Sequence, residues 1–237
     1  MGAIGDSTRP SVGIVGGIGP ESTIDYYRRI LAGWSHDHPG TSPSIVIDSL
    51  DVQVGLRLSE HDRPGLVEYV LASLKRLAGA GVDFAAMAAN TPHIVFAELA
   101  SRSPVPLVSI VEATAEEARR LGLRRVAILG TRFTMESSMY PEVCGRYGIQ
   151  VVAPDKPERE MVHDRYVNQM LKGQFREETR REIIALVDRL KNEKHIGGVI
   201  LGGTELTLLL TGPSVAGLPA LDTTALHVAS ILNRLSR

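Results

Sequence analysis

Two kinds of apolar pattern alternate along the chain. Short runs such as Val12-Gly-Ile-Val15, Ser44-Ile-Val-Ile-Asp48, Val82–Ala88, Val126-Ala-Ile-Leu129, Ile149–Val152 and Gly198-Val-Ile-Leu201 have the length and content of strands covered on both faces. Between them lie stretches with helical spacing: Ile24–Leu31, the series Leu66, Val70, Leu71, Leu74 and Leu77, then Ile94–Leu99, Met139–Tyr147, Glu158–Leu171, Phe175–Asn192, Leu206–Leu210 and Thr223–Leu235. Strand and helix in regular succession predict an α/β protein with parallel sheets.

The two halves match each other. Val12–Val15 closes on Gly16-Gly17 as Val126–Leu129 closes on Gly130-Thr131, and the strand before Ala89-Asn-Thr91 corresponds to the strand before Gly202-Gly-Thr-Glu205. The fold expected is therefore two pseudo-symmetric α/β domains with an interdomain cleft, rather than one long doubly wound sheet. The boundary is expected near Pro104–Leu121, giving a first domain over residues 1–108 and a second over 109–221, with the terminal helix 222–237 packing back on the first.

Composition narrows the function classes without choosing one. With 26 Lys+Arg against 27 Asp+Glu, scattered along the chain, there is no basic footprint for nucleic acid. The single Cys144 excludes an internal disulfide and a Cys-based zinc site, and no metal is expected. The apolar runs are far shorter than a membrane span. The start Met-Gly-Ala-Ile-Gly-Asp shows neither an export signal nor the Ser/Thr a myristoylation signal needs, so a cytoplasmic protein without membrane partners is expected.

In parallel sheets ligands bind beyond the carboxyl ends of the strands, where helix N-termini present unpaired N–H groups. Four segments are loops of that kind: Gly16–Thr23, Ala89–His93, Gly130–Ser138 and Gly202–Glu205. If the halves face each other, these loops line one cleft rich in hydroxyl and amide donors and poor in cations, which suits a small carboxylate. The rival reading of Gly16-Gly-Ile-Gly19 as a nucleotide loop lacks the third glycine of the dinucleotide fingerprint, since position 22 is Ser, and lacks the P-loop lysine.

Gly16-Gly-Ile-Gly-Pro-Glu-Ser-Thr23, followed by Asp25-Tyr-Tyr27, resembles the opening signature of the pyridoxal-phosphate-independent aspartate/glutamate racemases. Asn90-Thr-Pro-His93 is similar to that family's Cys-Asn-Thr motif, and Leu201-Gly-Gly-Thr-Glu-Leu206 to its Leu-Gly-Cys-Thr-Glu-Leu. The resemblance runs from Val12 to Leu226 with the three motifs in order. It implies an active site between two α/β domains, no cofactor, an amino-acid or small carboxylic-acid substrate, and a homodimer. It also implies that Asn90, Thr91 and Thr204 hold the substrate carboxylates, with the Gly16–Thr23 and Thr131–Ser138 loops closing the cleft, so that Gly17 and Thr131 belong to the substrate site.

The family's mechanism places one thiol on each side of the substrate α-carbon, one removing the proton and the other returning it. At the matching positions this chain carries Ala89 and Gly203, which move no proton. Cys144, on a helix away from the loops, is expected to be a small buried hydrophobe. Glu205 and His93 are the titratable residues inside the two motif loops and are the candidate acid–base pair. Each also has an ordinary structural reading, a helix-start carboxylate for Glu205 and a packing histidine for His93. Asp48, ending a strand, is read equally as a site residue or a turn acceptor. The expected function is a family enzyme of altered, non-thiol chemistry at the α-carbon of a small amino or carboxylic acid, isomerase or lyase-like. The alternatives are a racemase using non-Cys groups and a non-catalytic carboxylate binder.

Overall fold

The computed structural model describes residues 10–237; the opening stretch read for lipidation and export signals, residues 1–9, lies outside the described residues. The first sheet is built from β1 (Ser11–Gly16), α1 (Pro20–Asp37), β2 (Ser44–Ser49), α2 (Val52–His61), α3 (Arg63–Gly79), β3 (Phe84–Met87), a 3-10 turn over Thr91–Val95 leading into α4 (Phe96–Arg102), and β4 (Leu107–Val108). Then follow α5 (Ile110–Arg120), β5 (Arg125–Gly130), α6 (Arg132–Glu136), α7 (Met139–Gly145), β6 (Gln150–Val152), α8 (Lys156–Asn168), a second 3-10 turn over Met170–Lys172, α9 (Glu177–Lys194), β7 (Gly198–Gly202), α10 (Thr204–Leu209), β8 (Ser214–Val215), β9 (Leu218–Asp222) and α11 (Thr223–Leu235).

The strands form two separate sheets, in order β2-β1-β3-β4 and β6-β5-β7-β9-β8. All pairings are parallel except β8 with β9 at one edge. Register aligns the carboxyl ends of the inner strands: Val15 lies beside Met87, and Gly130 beside Gly202. The loops after β1 and β3 therefore leave the first sheet at one end, as those after β5 and β7 leave the second.

The strand runs are apolar throughout because helices cover both faces of each sheet. Successive residues alternate between two cores. In the first sheet Val15, Ala85 and Met87 pack under α3, while Val12, Ile14, Phe84 and Ala86 pack with Tyr26, Ile30 and Trp34 of α1 and Val228, Ile231 and Leu235 of α11. In the second, Ala127, Leu129, Val199 and Leu201 face α8 and α9, and Val126, Ile128 and Ile200 face α5 and α7. Thus α11, the last helix, covers the first sheet.

Several helices begin on side-chain caps legible in sequence. Asp62 accepts from Gly65 N (2.9 Å) ahead of α3, Asp222 accepts from Ala225 N (2.9 Å) ahead of α11, and Asp155 with Glu158 forms a capping box at α8. Within Pro104–Leu121 the chain passes from β4 of the first sheet to α5, which packs with the second sheet's core. Its start is signalled by Ser109, whose Oγ accepts from Glu112 N (3.3 Å), but its charged outer face hides the buried stripe Ile110, Val111, Ala115 and Ala118. The helix α2 and strands β4, β8 and β9 were also not anticipated; β4 and β8 have two residues each, too few for a period-2 pattern.

Candidate active site

The loop after β1 is shaped by two glycines in the left-handed region. Gly17 has φ +80°, and a Cβ there would strike the backbone carbonyl of Leu50; its N–H is held by Thr23 Oγ1 at 2.9 Å. Gly19, at φ +129°, precedes Pro20 at the start of α1, and a Cβ there would collide with Oε1 of Glu205 from the second half. The glycines therefore let the β1–α1 turn lie against another loop of the chain, the close approach that only glycine allows.

Glu205 is completely buried among hydroxyl groups. Ser22 Oγ lies 2.6 Å from its Oε1 and also 2.6 Å from Thr204 Oγ1. Thr204 Oγ1 is 3.1 Å from Glu205 Oε2, and the Tyr166 hydroxyl, carried by α8, hydrogen-bonds that same oxygen. Burial raises the Glu205 pKa, with the hydrogen bonds from Ser22 and Tyr166 opposing it. Burial and the neighbouring Glu205 also hold the Tyr166 phenol well above its usual value. The cluster is a buried carboxyl group in contact with a buried phenol.

The other two loops meet through a second set of bonds. Thr91 Oγ1 lies 3.0 Å from Thr131 Oγ1, which is 3.2 Å from Thr134 Oγ1 and caps α6. Asn90 accepts from the Tyr140 hydroxyl (2.6 Å) and donates to Thr223 Oγ1 (3.1 Å), which donates to Leu201 O (2.7 Å). Ala89, Asn90, Thr91, Thr131, Thr204 and Glu205 are all buried. In this state the hydroxyl and amide groups of the four loops satisfy one another.

His93 and Asp48 are each held by groups of the chain itself. His93 Nδ1 lies 3.0 Å from Ala89 O, and Nε2 accepts from Ile110 N at 3.3 Å, so the ring ties the β3 loop to the start of α5. Burial, then the nearby His227, push its pKa down to about 3. With both nitrogens committed to the main chain and the ring neutral, His93 is a structural brace in this arrangement. Asp48 turns to the outside of the first sheet, where Arg76 of α3 grips it with two bonds of 2.9 and 2.7 Å; these hold its pKa below the usual carboxylate range. Cys144 is fully buried in α7, and burial pushes its thiol up to about 11.

Sequence reasoning passed over Ser22, Tyr166, Tyr140 and Thr223. Ser22 lies inside the glycine-loop motif and was the findable one. Tyr166 sits in α8, a mostly polar helix that buries only Val162 and Tyr166, and nothing local marks it. Among the described residues no group of three or more His, Cys, Asp or Glu side chains could hold a metal ion, and no helix is long and apolar enough to cross a membrane.

Comparison with known proteins places this arrangement. A Yersinia pestis protein described as a candidate Asp/Glu racemase superposes with a TM-score of 0.85 at 29% identity, over 96% of this chain and 100% of that one. An aspartate racemase homologue from Pyrococcus horikoshii OT3 gives 0.79 at 30% identity, over 96% and 99%. The broad specificity amino-acid racemase RacX of Bacillus subtilis is 31% identical over 152 residues, 61% of this chain and 64% of that protein. The matched part is thus somewhat under two thirds of that relative's length. The family model for Asp/Glu/Hydantoin racemase matches residues 15–231, and the chain belongs to that family.

Proposed function

We propose that the chain is an enzyme acting at the α-carbon of a small amino or carboxylic acid by proton transfer that uses no thiol and no cofactor. The observation carrying this reading is the buried pair of a carboxyl group, Glu205, and a phenol, Tyr166, beside a position where the family resemblance would put a thiol and the chain has Gly203. Ala89, the matching position in the first half, packs among apolar side chains of that half's core and offers no proton acceptor. A site with a proton donor in one half and none at the matching place in the other suits a reaction in which a carbanion is protonated from one face, as when a carboxylic acid loses carbon dioxide. It does not suit inversion, which needs an acid and a base on opposite faces.

Carboxylate binding rests on Asn90, Thr91, Thr131, Thr204 and the Gly17 turn. Their hydroxyl pairs, such as Thr91 with Thr131, are the contacts a carboxylate replaces when it enters, so binding parts the two halves by the width of the ligand. Buried hydroxyl and amide donors then meet the charge in a water-poor site. Assembly as a homodimer follows the family pattern, and a buried thiol at Cys144 fits a reducing cytoplasm.

The test is a panel of small amino acids, dicarboxylic acids and 2-substituted malonic acids incubated in deuterium oxide and followed by proton NMR and chiral chromatography. Deuterium delivered to the α-carbon with one stereochemical sense supports the reading. Binding without any turnover across the panel leaves the non-catalytic carboxylate binder. Rapid inversion of an amino acid establishes a racemase working through other groups.

A further inference from the structure

The space beside Gly203 is already filled. A Cβ built at residue 203 would lie 3.0 Å from Cζ and 3.2 Å from Cδ2 of Tyr166, and closer still to Cε2, so the ring edge of Tyr166 stands where a side chain at 203 would begin. Its hydroxyl is anchored to Glu205, two residues further along the same loop, and Ser22 and Thr204 hold that carboxyl in turn. Tyr166 comes from α8, a separate element, so its presence at this spot is a packing relation between distant parts of the chain and not a property of the motif loop.

We propose that Tyr166 serves as the proton-transfer group of the second half, in the place a residue-203 side chain would take, and that Glu205 restores its proton. This rests on the reading above of a carbanion formed at the substrate α-carbon. The phenol O–H, which donates to Glu205 Oε2 at rest, turns to the substrate while a protonated Glu205 donates to the phenol oxygen, and the O–H bond breaks as its proton forms a C–H bond at that carbon. The Glu205 O–H bond breaks in the same relay and re-forms the phenol. The negative charge leaves the carbanion and ends on the Glu205 carboxylate, where the Ser22, Thr204 and Tyr166 hydroxyls donate to it. Solvent returns the proton to Glu205 after the product leaves. A phenol backed by a neutral acid releases its proton without having to exist as a buried phenolate, which burial strongly disfavours.

The experiment uses the intact chain and Tyr166→Phe, which keeps the ring in place and removes the hydroxyl. On whichever acid of the panel the wild type turns over fastest, deuterium delivery is expected to fall by about 10²–10⁴-fold in folded Tyr166→Phe, assayed well below its melting temperature, with KM little altered. A rate within a few-fold of wild type overturns the relay while leaving the proposed function standing. No turnover of any acid by the wild type overturns the proposed function and the relay with it. Independently of substrate, infrared difference spectra of wild type against Glu205→Gln at neutral pH are expected to show the carbonyl stretch of a protonated carboxylic acid, sensitive to deuterium oxide and displaced in Tyr166→Phe. If Glu205→Gln does not fold, the wild-type minus Tyr166→Phe difference carries the same band. Carboxylate bands alone overturn the relay.

Discussion

Oε1 of Glu205 stands where a Cβ on residue 19 would project, so a carboxyl from one half of the molecule is seated against bare backbone of the other. This contact gives Gly19 a purpose that a phosphate loop would not: it opens room for the Glu205 carboxyl.

Gly19→Ala tests it directly. A residue at φ +129° is strained by about 1–3 kcal/mol, and the collision with Glu205 adds overpacking of about the same size. Urea denaturation should show the full loss in Gly19→Ala and a smaller incremental loss when the change is made in a Glu205→Ala background, where only the backbone strain remains. Equal effects in both backgrounds would mean the carboxyl does not approach residue 19.

The pH dependence of stability has two opposed parts. Glu205 has a folded pKa raised above its unfolded value, so its contribution is complete below the unfolded value and is lost as pH rises through the folded one. Glu205→Gln should therefore gain on wild type as pH rises above about 5, which denaturation midpoints at a series of pH values will show. His93 and His227 behave in the other sense, with folded pKa values pushed down by burial to about 3 and about 4. Each stabilises the neutral state above an unfolded pKa near 6.5, and each should withdraw roughly 2 kcal/mol between pH 7 and pH 5 as the unfolded chain takes up protons. Proton NMR of the two imidazoles should show neither titrating above pH 5.

Gly203→Cys, which places a thiol where the family resemblance would put one, is expected to destabilise by about 1–3 kcal/mol because Tyr166 already occupies the space. Most of that loss should return in a Tyr166→Ala background, relative to Tyr166→Ala alone. A double-mutant cycle without coupling would place the ring elsewhere. Racemisation of an acidic amino acid is then to be sought in the triple variant Ala89→Cys, Tyr166→Ala, Gly203→Cys, since restoring the two thiols alone leaves the second with no room.

Incubating the wild type with L- or D-aspartate or glutamate in deuterium oxide should give little or no α-deuterium above a control without protein. Neither Ala89 nor Gly203 can remove the proton of an amino acid, and burial disfavours the charged, basic form of Glu205. Rapid exchange from either enantiomer would identify a base outside the cluster described here.

The strands were legible because parallel strands buried on both faces need unbroken apolar runs, and β1, β3, β5 and β7 all have them. The loops they lead into were legible for the same reason, as turns that follow such runs. What the loops do to one another was not. Thr204 and Glu205 are visible as a motif, but that Ser22 and Tyr166 complete their hydrogen bonds depends on how two halves and α8 pack, and no periodicity encodes it. For His93 the two readings stayed open in sequence because a buried imidazole between Ala89 O and Ile110 N looks there the same as one facing a ligand. Asp48 was ambiguous until Arg76, on the neighbouring helix, was seen to hold it.

Because α11 covers the face of the first sheet formed by Val12, Ile14, Phe84 and Ala86, that face has no permanent cover until Thr223–Leu235 have been made. On the ribosome the earliest strands must wait for the last helix, through the synthesis of everything between. The apolar face they expose in the meantime is the part of the nascent chain most open to wrong association. A stop codon ahead of residue 223 would thus damage the half of the protein that is translated first.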